Sequence, residues 1–197
     1  MRFIKESIIY DWLGKRSYSQ SGEDMILRQL FDDKKKGFYV DVGAYQPKVF
    51  SNTYYFYKKG WRGINIEPNR KGWEAFERAM KRDINLNLGI GVGNNYQFVE
   101  DGAKSCLYRL PRYARNDNMV EVRTLEKILD ENLPKGVKID FLSVDTEGMD
   151  EEVLESNNWN KYCPSVVLVE SEGGGKFLER KGYVMVGLTG LTKIFKK

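Results

Sequence analysis

Phe38-Tyr39-Val40-Asp41-Val42-Gly43-Ala44, followed by Ile64-Asn65-Ile66-Glu67-Pro68, is the stretch of this chain that decides the fold. Each half is a short apolar run of strand-forming residues that contains an acid at or near its end. The first closes on a glycine, where backbone must come close to a ligand. The second closes on a carboxylate, which can accept hydrogen bonds from both hydroxyls of a ribose. An acid at the end of the second strand is how doubly wound sheets hold a nucleoside. After Gly43 come Ala44, Tyr45, Gln46 and Pro47, so the G-x-G-x-x-G loop that cradles a pyrophosphate is missing. A nucleoside site without that clamp points to S-adenosylmethionine rather than NAD.

Working outward, residues 1–34 read as helical, with a break at Tyr18-Ser19-Gln20-Ser21-Gly22. Ser51 is placed to cap a helix that runs to Lys59 and stops at Gly60. Trp73, Phe76 and Met80 recur at helical spacing, and a third strand is expected near Ile84–Leu88. A turn at 91–95 leads to a short strand at Tyr96–Val99, residues 101–118 read as irregular, and Val120–Val122 as a strand edge. Thr124 caps a helix carrying Leu125, Ile128 and Leu129. A fourth strand, Ile139–Val144, ends in Asp145-Thr146-Glu147-Gly148 and is followed by a helix opening on Asp150, Glu151 and Glu152. Val166–Val169 ends in Glu170, Gly173-Gly174-Gly175 reads as a loose turn, and Tyr183–Val186 with Lys193–Phe195 as a terminal hairpin. Strands alternating with helices and closing on paired strands imply an α/β fold, a mostly parallel sheet between helices with an antiparallel strand at one edge.

The 197 residues suit one domain with one core. Against 28 acidic residues stand 32 basic ones, interspersed for a net charge of +4. That balance, with no basic-aromatic face legible in the sequence, disfavours a specific nucleic-acid partner. No apolar run reaches spanning length, and Met1 to Lys15 lacks the pattern of a secretory signal, so a cytoplasmic protein is expected. Cys106 and Cys163 fit reduced thiols. The chain has no histidine, so proton transfer falls to Asp, Glu, Lys, Tyr or water.

In an open α/β sheet Asp41, Glu67, Asp145, Glu147, Glu170 and Glu172 fall along one binding edge. Glu67 fits a ribose. Asp41 and Gly43 fit the cationic amino end of the cofactor. Tyr45 is either an aromatic face for a sulfonium or an ordinary half-buried ring. Asp145 and Glu147 stand where an acceptor alcohol would need its proton removed. Together with Glu170 they could instead hold a divalent cation, and Glu147 could instead cap the next helix. Arg109, Arg112 and Arg115 form either an anion clamp or a solvated surface.

Taken together, Tyr18-Ser19-Gln20-Ser21-Gly22-Glu23-Asp24, Tyr39 to Ala44, Ser51-Asn52-Thr53-Tyr54 with Gly60-Trp61-Arg62-Gly63, Ile66-Glu67-Pro68-Asn69, and Ile139 to Gly148 resemble the FkbM family of S-adenosylmethionine-dependent methyltransferases, in the family's order. The resemblance implies a class I methyltransferase fold (Rossmann-like, seven strands, the last antiparallel) and O-methylation, often of sugar hydroxyls. It places Asp41, Gly43 and Glu67 at S-adenosyl-L-methionine, Asp145 and Glu147 at the reaction centre, and Gln20, Glu23 and Asp24 in a segment folding over the site. Many relatives carry a histidine after the first-strand Gly-Ala, where this chain has Tyr45-Gln46.

The resulting expectation is a helical cap segment, 1–37, and a methyltransferase domain, 38–197, forming one globular unit. Asp145 and Glu147 are the catalytic candidates. Glu23, Asp41, Gly43, Ala44, Tyr45, Asn52, Glu67, Pro68, Leu88 and Asp145 are the cofactor candidates. Gln46, Arg109, Arg112 and Glu170 are the acceptor candidates, and no metal ligand is assigned. The acceptor is a carbohydrate or other small hydroxyl compound. The alternatives are another small molecule or an RNA ribose as acceptor, or a cofactor-binding module without turnover in a larger assembly.

Overall fold

The computed structural model describes residues 16–93, 96–99, 101–102, 105–109 and 120–197. The elements run α1 (Glu23–Leu30), β1 (Phe38–Val42), α2 (Tyr54–Lys58), β2 (Arg62–Ile66), α3 (Arg70–Ala79), β3 (Ile84–Leu86), β4 (Gly89–Ile90), β5 (Tyr96–Val99) and β6 (Cys106–Arg109). They continue with β7 (Val122–Arg123), α4 (Leu125–Asn132), β8 (Phe141–Val144), α5 (Asp150–Glu155), β9 (Val166–Val169), α6 (Glu172–Arg180), β10 (Val184–Thr189) and β11 (Thr192–Lys196).

Seven strands form one sheet in the order β10-β11-β9-β8-β1-β2-β3. The strands β9, β8, β1, β2 and β3 are parallel neighbours, and β11 runs antiparallel to both β9 and β10. The antiparallel strand is therefore the last in sequence and stands one place in from the edge. This is the class I methyltransferase sheet that the resemblance implies.

All five residues of β1 are buried, as a central strand covered on both faces requires. Alternation sends Phe38, Val40 and Val42 to one face, where they join Leu125 and Ile128 of α4, Val153 of α5 and Leu178 of α6. Tyr39 faces the other way, with Phe141 and Trp61, against Leu27 of α1, Phe56 of α2 and Phe76 of α3. Burying each such side chain contributes about 1.5–3 kcal/mol. Among the described residues three helices thus cover each face, and the carboxyl ends of the parallel strands open into a cavity.

The cap at Thr124 is as assigned: its hydroxyl accepts the Lys127 N–H at 3.2 Å. At α2 the N-cap position is Thr53, not Ser51, although the Ser51 hydroxyl accepts the Tyr54 N–H at 3.1 Å. Other expectations are corrected. Helix begins only at Glu23 within the described part of 1–34, and residues 1–15 lie outside the described residues. Gly173-Gly174-Gly175 is not a turn but the first half of α6, which Ser171 caps by accepting the Gly174 N–H at 3.1 Å. Part of the supposedly irregular 101–118 is β6, paired antiparallel with β5; Arg112 and Arg115 lie outside the described residues. The third strand is shorter than expected, because Gly89–Ile90 leaves the main sheet to pair with β7.

Candidate active site

The carboxyl ends of β1, β2, β8 and β9 open into a cavity of about 500 Å³, the place where such a sheet takes its ligands. Strand ends supply the floor through Val42, Gly43, Ile66, Glu67, Asp145 and Glu170. The β5–β6 hairpin adds Phe98 and Leu107, and the hairpin between β10 and β11 adds Gly190 and Leu191. Gln20 and Ser21 come from the N-terminal loop.

Gly43 holds a left-handed backbone, with φ of 77°. The close approach that demands glycine is to protein: an added Cβ would lie 1.8 Å from the Asp145 carbonyl oxygen. The turn after β1 therefore packs directly on the end of β8, which corrects the view that a ligand alone requires this residue.

Glu67 is buried, and both of its oxygens accept backbone amides, from Tyr45 at 2.7 Å and from Asn69 at 2.7 Å. One carboxylate thus ties the loop after β1 to the start of α3, while its remaining lone pairs stay available at the cavity wall. Burial pushes its pKa up to about 7 despite those two hydrogen bonds. Asn69, not Glu67, caps α3: its side-chain oxygen accepts from Lys71 and Gly72.

Asp145 lines the cavity; its N–H donates to the Val42 carbonyl at 3.0 Å, and its carboxyl has no hydrogen-bond or ion-pair partner among the described residues. Burial, then the neighbouring charges of Glu170, Asp150, Glu147 and Asp41, push its pKa up to about 8. Glu147 is exposed at the rim, in a left-handed conformation with φ of 50°. Glu170 is half-buried and accepts the Thr192 hydroxyl at 3.1 Å; burial raises its pKa. Among the described residues no three acidic or cysteine side chains are placed to hold a metal ion together. The shared-cation alternative for Asp145, Glu147 and Glu170 therefore gains no support from the geometry.

Among the described residues three non-glycine residues have positive φ, namely Tyr45, Phe50 and Glu147, and all three line the cavity. Such backbone costs energy and collects at functional sites. The Tyr45 and Phe50 rings stack with centroids 6.2 Å apart, giving an aromatic platform at the mouth. Pro68, Leu88 and Gln46 also line the wall, as the sequence leads one to expect.

Four candidates sit behind the wall instead. Asp41 is 4% exposed and, by strand alternation, points to the face opposite Val42, where it accepts the Thr53 hydroxyl at 3.2 Å. Burial pushes its pKa up to about 6. Asn52 donates to the Ser143 hydroxyl at 3.1 Å, so the Ser51-Asn52-Thr53 motif braces the floor from below. Glu23 accepts from the Ser21 amide and the Thr189 hydroxyl, which fixes the N-terminal loop against β10. Ala44 is buried, with its N–H on the Ile66 carbonyl. Arg109 ends β6, and Arg112 lies outside the described residues.

Phe50, Phe98, Leu107 and Leu191 were not legible in advance. Phe50 reaches the cavity from a loop with positive φ, Leu191 from the turn of the terminal hairpin, and Phe98 and Leu107 as a cross-strand pair of β5 and β6. The cavity fits a nucleoside with a cationic tail: a buried acid ends β2, apolar Leu88 and Ile90 flank it, and β8 ends in an acid whose carboxyl has no partner among the described residues.

Residues 41–181 match the family described as the methyltransferase FkbM domain. No curated protein matches the chain. Among solved structures it is similar to a TehB-like SAM-dependent methyltransferase from Corynebacterium glutamicum, at 12% identity over 99% of this chain and 96% of that one, with a TM-score of 0.46. It is similar also to an O-methyltransferase from Bacillus cereus in complex with SAH, at 13% identity over 98% and 90%, with a TM-score of 0.48. A putative methyltransferase, yhhF, from Escherichia coli is similar at 13% identity over 92% and 88%, with a TM-score of 0.47. These likenesses are too distant to bear on activity.

Proposed function

Because the chain belongs to the FkbM methyltransferase family, we propose that it transfers the methyl group of S-adenosyl-L-methionine to a hydroxyl, that of a sugar in a glycan or glycoconjugate. The observation that carries this reading is Asp145: an acid at the end of β8, at the cavity wall, whose carboxyl has no partner among the described residues. The cofactor supplies an electrophilic methyl group on a sulfonium. The chain's part is to bind, orient and deprotonate.

In this reading Glu67 accepts the ribose hydroxyls, Leu88 and Pro68 flank the nucleoside, and Gly43 with Tyr45 borders the cationic tail. Asp145 takes the proton of the acceptor hydroxyl, the task left to a carboxylate in a chain without histidine. Glu147, Glu170 and Gln46 offer acceptors and a donor to the other hydroxyls of a sugar, and the stacked Tyr45 and Phe50 rings offer it an apolar face. Residues 1–37 act as a cap, a role supported by Gln20 and Ser21 at the cavity wall. Two free thiols suit the cytoplasm, and no described helix is long and apolar enough to cross a membrane.

The test is transfer of labelled methyl from the cofactor to a panel of glycan and nucleotide-sugar acceptors, with the linkage of the product determined. An alkali-stable ether on a sugar oxygen supports the proposal. Label on nitrogen, in an alkali-labile ester, or on RNA ribose alone would reject it.

A further inference from the structure

A second cavity, of about 340 Å³, lies between α1 and α2, near the amino ends of β1 and β2. Its charge is opposite to that of the first: Arg28, Lys34, Lys35 and Lys59 line it against one carboxylate, Asp32. Tyr55 and Phe31 give it an aromatic wall. Lys34 is paired with buried Asp140, whereas Lys35 and Lys59 have no carboxylate partner among the described residues. Arg28 is 8% exposed and stacks on Tyr55, its guanidinium carbon 3.8 Å from the ring centroid. Its Nε, buried, has no hydrogen-bond partner among the described residues. A guanidinium with a spare donor beside two uncompensated ammoniums favours an anion.

Arg28 also reaches the other way. Its Nη2 donates to the Arg16 carbonyl at 2.9 Å and pairs with Asp24. Asp24 in turn accepts from the Ser17 hydroxyl at 2.6 Å, the Tyr18 amide at 3.1 Å and the Ser19 hydroxyl at 2.9 Å. This knot holds the loop from which Gln20 and Ser21 reach the first cavity.

We propose that the cavity between α1 and α2 binds a small phosphate-bearing ligand through Arg28, Lys35 and Lys59, and that Arg28 couples its occupancy to the loop over the cofactor site. A phosphate beside the guanidinium competes with Asp24 for it and so changes how tightly the loop is held. The coupling is reciprocal, so cofactor occupancy changes anion affinity by the same factor. The coupling clause rests on the first cavity being the cofactor site; anion binding does not.

Calorimetry on the full chain, at constant ionic strength, tests it with inorganic phosphate, pyrophosphate and ADP in turn. Saturable binding is expected, weakened about ten-fold or more in the K35A/K59A variant by loss of the charge-assisted contacts. That variant should bind S-adenosylhomocysteine, without anion present, as wild type does. Tighter binding of ADP assigns the aromatic wall to a base; equal binding of all three assigns a phosphate group alone. With the tightest anion saturating, affinity for S-adenosylhomocysteine should change about five-fold or more in wild type only. No saturable binding, or binding indifferent to K35A/K59A, overturns the site. An unchanged S-adenosylhomocysteine affinity overturns the coupling. Failure of wild type to bind S-adenosylhomocysteine at all would refute the first-cavity reading while leaving the anion result legible.

Discussion

Asp145 and Glu67 are both acids whose ionised form burial disfavours. With its pKa pushed up to about 8, the Asp145 carboxyl is largely protonated in the free protein at neutral pH. A general base works only when ionised, so kcat/KM for an alcohol acceptor should rise with pH through the Asp145 pKa, which is about 8 in the free protein and lower with the cationic cofactor bound, and be lost as pH falls below it. Asp145→Asn keeps the shape and removes the base. It should lower turnover by about two to four orders of magnitude and flatten the pH profile. Near-normal turnover would contradict the assignment. Glu67→Gln keeps an acceptor oxygen for one of the Tyr45 and Asn69 amides and loses the other, so its folding is checked by circular dichroism before binding is read. Its affinity for S-adenosylhomocysteine should fall about ten-fold, because charge-assisted hydrogen bonds become neutral ones. Unchanged affinity in calorimetry would remove Glu67 from the ribose.

Among the elements, α6 shows why a glycine run misleads. Each glycine costs about 1 kcal/mol in a helix relative to alanine, so intrinsic propensity predicts a turn. The helix forms because Ser171 caps it and because glycine lets it lie against β9: a Cβ on Gly174 would stand 2.6 Å from Val169 Cγ2. At Gly175 the nearest neighbours, Lys193 and Phe195, are 3.4 Å away. Gly175→Ala should therefore stabilise by about 0.5–1 kcal/mol and Gly174→Ala should destabilise, as urea unfolding would read out. The same contrast explains what could be foreseen. The central strands β1, β2, β8 and β9 were legible because both their faces are buried, which makes their sequences near-continuous apolar runs. Strand β6 was not, since its order depends on pairing with β5. Nor was the direction of Asp41 recognised: alternation turns it away from the cavity that Val42 lines, and its motif looks the same in either case. The acid at the end of β2 was found because a strand's last residue must meet the ligand edge.

The whole molecule concentrates buried acids. Asp41 and Asp83 are pushed up to about 6, Glu67 to about 7 and Asp145 to about 8, in each case chiefly by burial. A carboxyl whose folded pKa is raised binds its proton more tightly folded than unfolded. Its stabilising effect is complete below the unfolded pKa, near 4, and is lost as pH rises to the folded value. The melting temperature of the free protein should therefore fall between pH 5 and 8.5, and S-adenosylhomocysteine should recover part of it by binding only the folded state. A melting temperature that rises across that range would count against these burial effects. The cofactor brings two positive charges, a sulfonium and an ammonium, to a cavity where the Asp145 carboxyl, pushed up to about 8, is largely protonated at pH 7. Cation arrival favours carboxylate over carboxylic acid, so binding must expel protons. The decisive measurement is a calorimetric titration of the full chain with S-adenosylmethionine at pH 7, in buffers of different ionisation enthalpy. The account predicts one saturable site with net proton release in wild type, and a release much reduced in Asp145→Asn. No saturable binding, or an enthalpy that does not depend on the buffer, would contradict it.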